Sequence, residues 1–197
     1  MTVLDHEGLR LLFLDARTHR VWLDRPVDDA LLTRIYDLAR WPPTSGNCEP
    51  MRVVFVRSAE AKARLLPAVN EGNVEQTMSA PVTAIVAYDT RFFDEMPKLT
   101  PQRPEMGARF AAAPEAVRER LAFQSGSLQG GYLILAVRAL GLDCGPMGGF
   151  DRAKVDEAFF PDGRWKSNFL LNIGYGNPET LRSRAPRLDF NEACRIE

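Results

Sequence analysis

No stretch of this chain stays apolar for the ~18 residues that a membrane-spanning helix needs. Its first ten residues, MTVLDHEGLR, hold acids and lack the apolar core of a secretory leader, so neither a membrane anchor nor export is expected. Charge of one sign is missing too. Lys and Arg number 25 against 26 Asp and Glu, a formal net charge of -1, which leaves no general positive field for a nucleic acid. Cysteine is sparse: Cys48, Cys144 and Cys194 are an odd, widely spaced set without a CxxC pair. That argues against structural zinc and for a reducing, cytoplasmic compartment. Histidine is sparser still. His6 and His19 are too few for a His-based metal site, and the GxSxG of a hydrolase nucleophile elbow does not occur. Side chains alone are poorly equipped for chemistry here, and a borrowed cofactor is the natural expectation.

What is present is an ordinary globular composition, 45% apolar and 26% charged over 197 residues, enough for one domain over 1–197 with a substantial core. No repeat or low-complexity tract divides it. Apolar residues at Leu31, Leu32, Ile35, Leu38 and Ala39 recur at helical spacing, with Asp28 as N-cap and Pro42-Pro43 as a stop. MRVVFVR (51–57) reads as a strand, and Ser58 caps a helix over about 59–69. PVTAIVAY (81–88), apolar on both faces, reads as a central strand. Residues 89–113 contain Pro97, Pro101 and Pro104 without one clear period, which suits a lid or a partly helical excursion. Pro114 opens the longest helical segment, which Gly141 ends. Leu121, Leu128, Tyr132 and Leu135 form one apolar stripe on it, and Ala122, Gly126, Leu133, Ala136 and Leu140 another, so burial by more than one partner is expected. A short helix over 151–160 and a last strand over 168–175 precede a polar tail. That order makes an α+β sandwich, a sheet flanked by helices.

Three segments have residue types suited to ligand binding. Asp15-Ala16-Arg17-Thr18-His19-Arg20 sets guanidinium forks beside hydrogen-bonding side chains, as phosphate oxygens require, though a solvated basic segment has the same composition. Pro43 to Pro50 (PTSGNCEP) is a rigid polar loop able to bond a heteroaromatic edge, or an ordinary turn. Gly145 to Asp151 (GPMGGFD) lets backbone N–H groups approach a ligand, or makes a tight turn with an Asp cap; it does not match GxGxxG. Arg182, Arg184 and Arg187 either close on a phosphate or coat the tail.

In this order, the segments resemble those of the nitroreductase-like flavoproteins. That family carries an Arg-rich phosphate motif near the N-terminus, a P-S-x-x-N-x-Q-P-type loop, a G-hydrophobic-x-G-F turn and a late basic pair. The counterparts are Arg17-Thr18-His19, Pro43 to Pro50, Pro146 to Phe150, and Arg182 with Arg184. The stretches DARTH, PTSGNCEP, APVTAIVAYD, RALGLDCGPMGGFDR, SNFLLNIGYG and APRLDFNEAC are similar to the subfamily containing the malonic-semialdehyde reductase of pyrimidine utilisation (Rut).

The resemblance implies a three-layer sandwich with a mixed sheet and a long central helix. It implies a homodimer with two FMN sites at the interface, NADH or NADPH as hydride donor, and a small-molecule electron acceptor. Arg17, Thr18 and His19 would hold the phosphate and the flavin's polar edge. Thr44, Ser45 and Asn47 would come from the partner subunit. Gly148 and Gly149 would present N–H near N5, Arg184 with Arg182 would complete the phosphate grip, and Asn73 would reach the pyrimidine edge. No side chain is expected to be an obligatory catalytic nucleophile. The subfamily implies reduction of malonic semialdehyde to 3-hydroxypropanoate; such a substrate needs a cation for its carboxylate, and Lys98, Arg103 and Arg109 in the 89–113 segment are the available candidates. A broad nitro- or quinone-reductase, and a flavin-binding sensor or storage dimer without turnover, remain as alternatives. Two positions depart from the family pattern: Val21 stands where many members have Lys or Arg, and Glu49 where Gln is common.

Overall fold

The computed structural model describes residues 3–197; Met1 and Thr2 of the N-terminal decapeptide lie outside the described residues. The core is a sheet of β1 (Met51–Val56), β2 (Val82–Asp89), β3 (Asp143–Met147) and β4 (Trp165–Gly174), in the order β1-β2-β4-β3. Every residue of β2 is buried, as its unbroken apolar run requires of a strand covered on both faces. All neighbouring strands are antiparallel, where a mixed sheet was expected. Val56 at the end of β1 pairs with Thr83 at the start of β2, so the connection turns back at one sheet end instead of crossing over. A parallel contact survives at the bridge between Thr18 and Cys144.

Helices cover both faces, which makes the three layers. In chain order they are α1 (His6–Leu9, continued by a π-turn over Arg10–Leu14), α2 (Asp29–Ala39), α3 (Ala59–Leu65), α4 (Glu71–Ser79), α5 (Met96–Leu99), α6 (Glu105–Ala111), α7 (Glu115–Ala139), α8 (Arg152–Phe159) and α9 (Phe190–Ala193). Leu32 and Ile35 of α2 and Leu133, Ala136 and Val137 of α7 pack with Ala84, Val86, Leu171 and Ile173. On the other face Leu65 and Val155 pack with Ile85, Ala87 and Leu170. Burying each Leu, Ile or Val among them contributes roughly 1.5–3 kcal/mol before entropy is counted. The caps read from sequence are in place: the side chains of Asp28, Ser58 and Asp151 accept from Leu31, Ala61 and Lys154 N–H.

Helix α7 begins after Pro114 and stops at Gly141, whose φ is 76°. Gly130 lies against the sheet so closely that a Cβ there would sit 2.6 Å from the Phe169 ring. One apolar stripe of α7 is buried as expected, but Leu128 and Tyr132 on the other are 52% and 44% exposed within the single chain. The excursion over 90–113 is partly helical and tethered. Phe92 and Met96 are buried, and buried Asp89 at its root accepts from Arg52 Nη2 (2.9 Å) and Arg164 Nη2 (3.0 Å).

Helix α4 has few apolar residues and is held from outside. Buried Lys62 of α3 donates to the carbonyls of Thr77 (2.9 Å), Met78 (3.1 Å) and Ala80, satisfying the end of α4 that no glycine cap closes. Burial pushes its ammonium down to about 8, still high enough to leave it mostly charged at neutral pH. Lys62→Met should therefore cost roughly 2–4 kcal/mol, because several buried carbonyls lose their donor at once. Urea unfolding of the variant and the wild type measures it; a loss under ~0.5 kcal/mol would show that the contact is dispensable.

Candidate functional site

Residues 18–23 run between the free edge of β3 and the chain leaving β4. His19 N–H donates to Cys144 O (3.2 Å), Leu23 N–H to Tyr175 O (2.8 Å) and Asn177 N–H to Val21 O (2.9 Å). A Cβ on Gly145 would lie 2.5 Å from His19 O, so the approach needs glycine there. Residues 14–17 thus meet residues 182–184. Arg17 Nη2 donates to Arg182 O, and Arg184 Nη2 donates to Leu14 O (2.6 Å) and Ala16 O (3.0 Å).

Between them opens a cleft of about 680 Å³ lined by Arg17, Arg20, Arg138, Arg182, Arg184 and Arg187, with Thr18 and Phe13, and with no carboxylate among its lining residues. Arg138 donates to Leu12 O (3.2 Å), while its Nε is buried without a partner. Guanidiniums facing one another across a cleft repel unless an anion lies between them, and a phosphate monoester suits their forks. Of the residues assigned to the phosphate from sequence, Arg17, Thr18, Arg182 and Arg184 meet here. Arg138 was missed; its one signal was a lone cation within the apolar turn Ala136, Val137 and Leu140.

His19 is placed differently. Its imidazole is 5% exposed and turned inward, with Nε2 3.4 Å from Asp143 Oδ1 and Nδ1 unpartnered. A Cβ on Gly176 would lie 2.0 Å from that Nδ1. Burial is the main cause lowering its pKa from 6.5, with Arg17 adding to it and Asp143 opposing. Asp143, which also accepts from Gly176 N–H (3.0 Å), is the orienting residue that the sequence did not reveal.

Asn73 and Gly149 come together: Asn73 Nδ2 donates to Gly149 O (3.0 Å), and a Cβ on Gly149 would meet that nitrogen at 2.4 Å. Gly148 beside it is exposed. Asn73 is held in turn by Gln76, whose carbonyl accepts from Trp22 Nε1 (3.0 Å), which ties this turn to the segment beneath the cleft.

Thr44, Ser45 and Asn47 lie elsewhere. Thr44 and Ser45 line a separate cavity of about 390 Å³ against Ser125 and Leu128 of α7, and no residue lines both cavities. The loop's backbone is strained: Gly46, Asn47 and Glu49 have φ of 60°, 57° and 37°. Asn47 Nδ2 is spent on Leu99 O (3.0 Å), and Gly46 packs against Met106 and Phe110, so the loop is tied to the 90–113 excursion. Burial pushes the Glu49 carboxyl up, against the pull of Arg40, Arg52 and Lys98.

The Nitroreductase family model matches residues 14–175. A Ralstonia nicotianae protein provisionally named NADH dehydrogenase/NAD(P)H nitroreductase is 53% identical over 197 residues, covering 100% of both chains. A Rhodopseudomonas palustris protein under the same provisional name is 56% identical over 195 residues, covering 99% of this chain and 98% of its own. Among solved structures, an Exiguobacterium sibiricum protein crystallised with FMN superposes with a TM-score of 0.87 at 23% identity, covering 100% of this chain and 99% of its own.

The lowered His19 pKa has a consequence for stability. The unfolded chain takes up a proton near pH 6.5 that the folded chain refuses, so this group's contribution is full above 6.5 and falls as pH drops towards the lowered value. His19→Gln, which keeps a donor towards Asp143 but does not titrate, should lose less stability than wild type between pH 7 and 5. Equal losses in thermal melts across that range would refute the assignment.

Proposed function

The chain belongs to the Nitroreductase family, and on that premise we propose that it is an FMN-dependent oxidoreductase that takes hydride from NADH or NADPH and reduces a small organic acceptor. The observation that carries this proposal is the arginine cleft without a carboxylate, built from both ends of the chain and fitted to a phosphate monoester. When bound, FMN supplies hydride transfer through N5, from dinucleotide to acceptor in ping-pong order. Arg17 and Arg184, with Arg182, grip the phosphate, and Thr18 adds a hydroxyl. The Gly148-Gly149 turn, fixed by Asn73, offers backbone N–H groups towards the ring. Neutral His19, wedged between Asp143 and Gly176, keeps Arg17 and Thr18 in register.

The active unit is a homodimer. Thr44, Ser45 and Asn47 reach the flavin of the partner subunit, which accounts for their separation from the cleft. Exposed Trp41, Leu128, Tyr132, Leu188 and Phe190 supply an apolar contact surface for it. An interface above ~2,000 Å² is expected, the range of obligate dimers.

The acceptor we assign is malonic semialdehyde. It takes hydride at its carbonyl carbon and a proton on oxygen, giving 3-hydroxypropanoate and NAD(P)+. Of the three cations offered by the excursion, Lys98 is the one whose charge pulls on the Glu49 carboxyl of the 44–50 loop, and we assign it to the substrate carboxylate. The relatives' nitroreductase names favour a second reading, a broad nitro- or quinone-reductase.

Arg17→Ala should weaken FMN binding by roughly 1.5–3 kcal/mol, the scale of a charge-assisted hydrogen bond, and Arg187→Ala should do so less. Fluorescence titration of the apoproteins measures both; equal losses would move the phosphate to another part of the cleft. Lys98→Ala should lower kcat/KM for malonic semialdehyde by roughly 30- to 1,000-fold while sparing menadione, which has no carboxylate. If wild type prefers menadione and the variant does not discriminate, the broad reductase takes over.

A further inference from the structure

We infer that the rim of the arginine cleft, Arg187 with Arg20, takes a second phosphate monoester, so that of the two nicotinamide dinucleotides the chain prefers the one with a 2′-phosphate. This rests on the flavin assignment above. A flavin phosphate brings about two negative charges at most. Six guanidiniums line the cleft and no carboxylate lines it, so about four positive charges remain after the flavin's phosphate is seated.

The six are not equivalent. Arg17 and Arg184 reach across to carbonyls of the opposite wall, and half-buried Arg138 is fixed to Leu12 O. Arg187 bonds only its neighbours' carbonyls, Ala185 O and Pro186 O, both at 3.0 Å, within the exposed tail. Arg20 is exposed on the facing wall, with no side-chain hydrogen bond among the described residues. These two are exposed cleft-lining residues that leave most of their donors free for an incoming ligand. NADPH differs from NADH by one phosphate monoester in place of a ribose hydroxyl, the group that a pair of free guanidinium forks selects.

The test uses the FMN-loaded dimer, with FMN uptake read from flavin absorbance in the same sample. Calorimetric titration then compares adenosine 2′,5′-bisphosphate with 5′-AMP. At 50 mM salt the bisphosphate should bind about tenfold tighter, with the difference shrinking towards unity at 0.5 M as screening sets in. The kcat/KM ratio of NADPH over NADH should follow the same trend. With FMN added to saturation, Arg187→Ala should reduce the preference several-fold, and R20A/R187A should abolish it. If FMN binds but bisphosphate and 5′-AMP bind alike, or if the variants weaken both ligands equally, the second phosphate site is overturned and the flavin assignment stands. If no FMN is taken up, the flavin assignment falls first and this inference with it.

Discussion

The candidate site depends on how closely one stretch of backbone approaches a sheet edge. Residues 18–23 lie along β3 and the exit from β4, where side chains on Gly145 and Gly176 would collide with His19. Two residues without a Cβ let the N-terminal segment in, and the imidazole held by Asp143 fills the space it leaves. From that contact follow the meeting of Arg17 with Arg182 and of Arg184 with Leu14 and Ala16, hence the cleft itself. Backbone geometry sets the register here, and charge only occupies what geometry provides.

Elements with strong local signals were legible in the sequence. Asp28, Ser58 and Asp151 cap helices where expected, and the apolar run of β2 is central. Elements missed were those that tertiary contacts stabilise. Strand β3 contains Gly145 and Pro146, poor strand residues tolerated because β3 is an edge whose outer side meets residues 18–19. Helix α4 has little apolar periodicity because Lys62 holds its end and polar Asn73 and Gln76 face the glycine turn. Strand β4 begins at Trp165, earlier than its apolar run, because Lys166 pairs with Glu119 and Ser167 with Asp156.

The site was legible only in part. Arg17 and Arg182 are 165 positions apart, and nothing local links them; family resemblance did. It also assigned His19 to the ligand, and the structure adds that its imidazole is buried beside Asp143. The loop at 44–47 illustrates a different limit. Its polar composition is turn-like, and only the left-handed angles at Asn47 and Glu49, with Asn47 bound to Leu99 O, set it apart from an ordinary turn. Its distance from the cleft within one chain makes sense if two copies complete each site.

The most direct measurement is hybrid complementation. Arg17→Glu disables the cleft and Ser45→Trp blocks the loop, each in a separate chain. Unfolded together and refolded as an equal mixture, half the dimers are hybrids that carry one intact composite site. The shared-site account predicts that FMN uptake and NAD(P)H oxidation recover to about a quarter of wild type from parents near zero. A mixture no more active than its parents would contradict it.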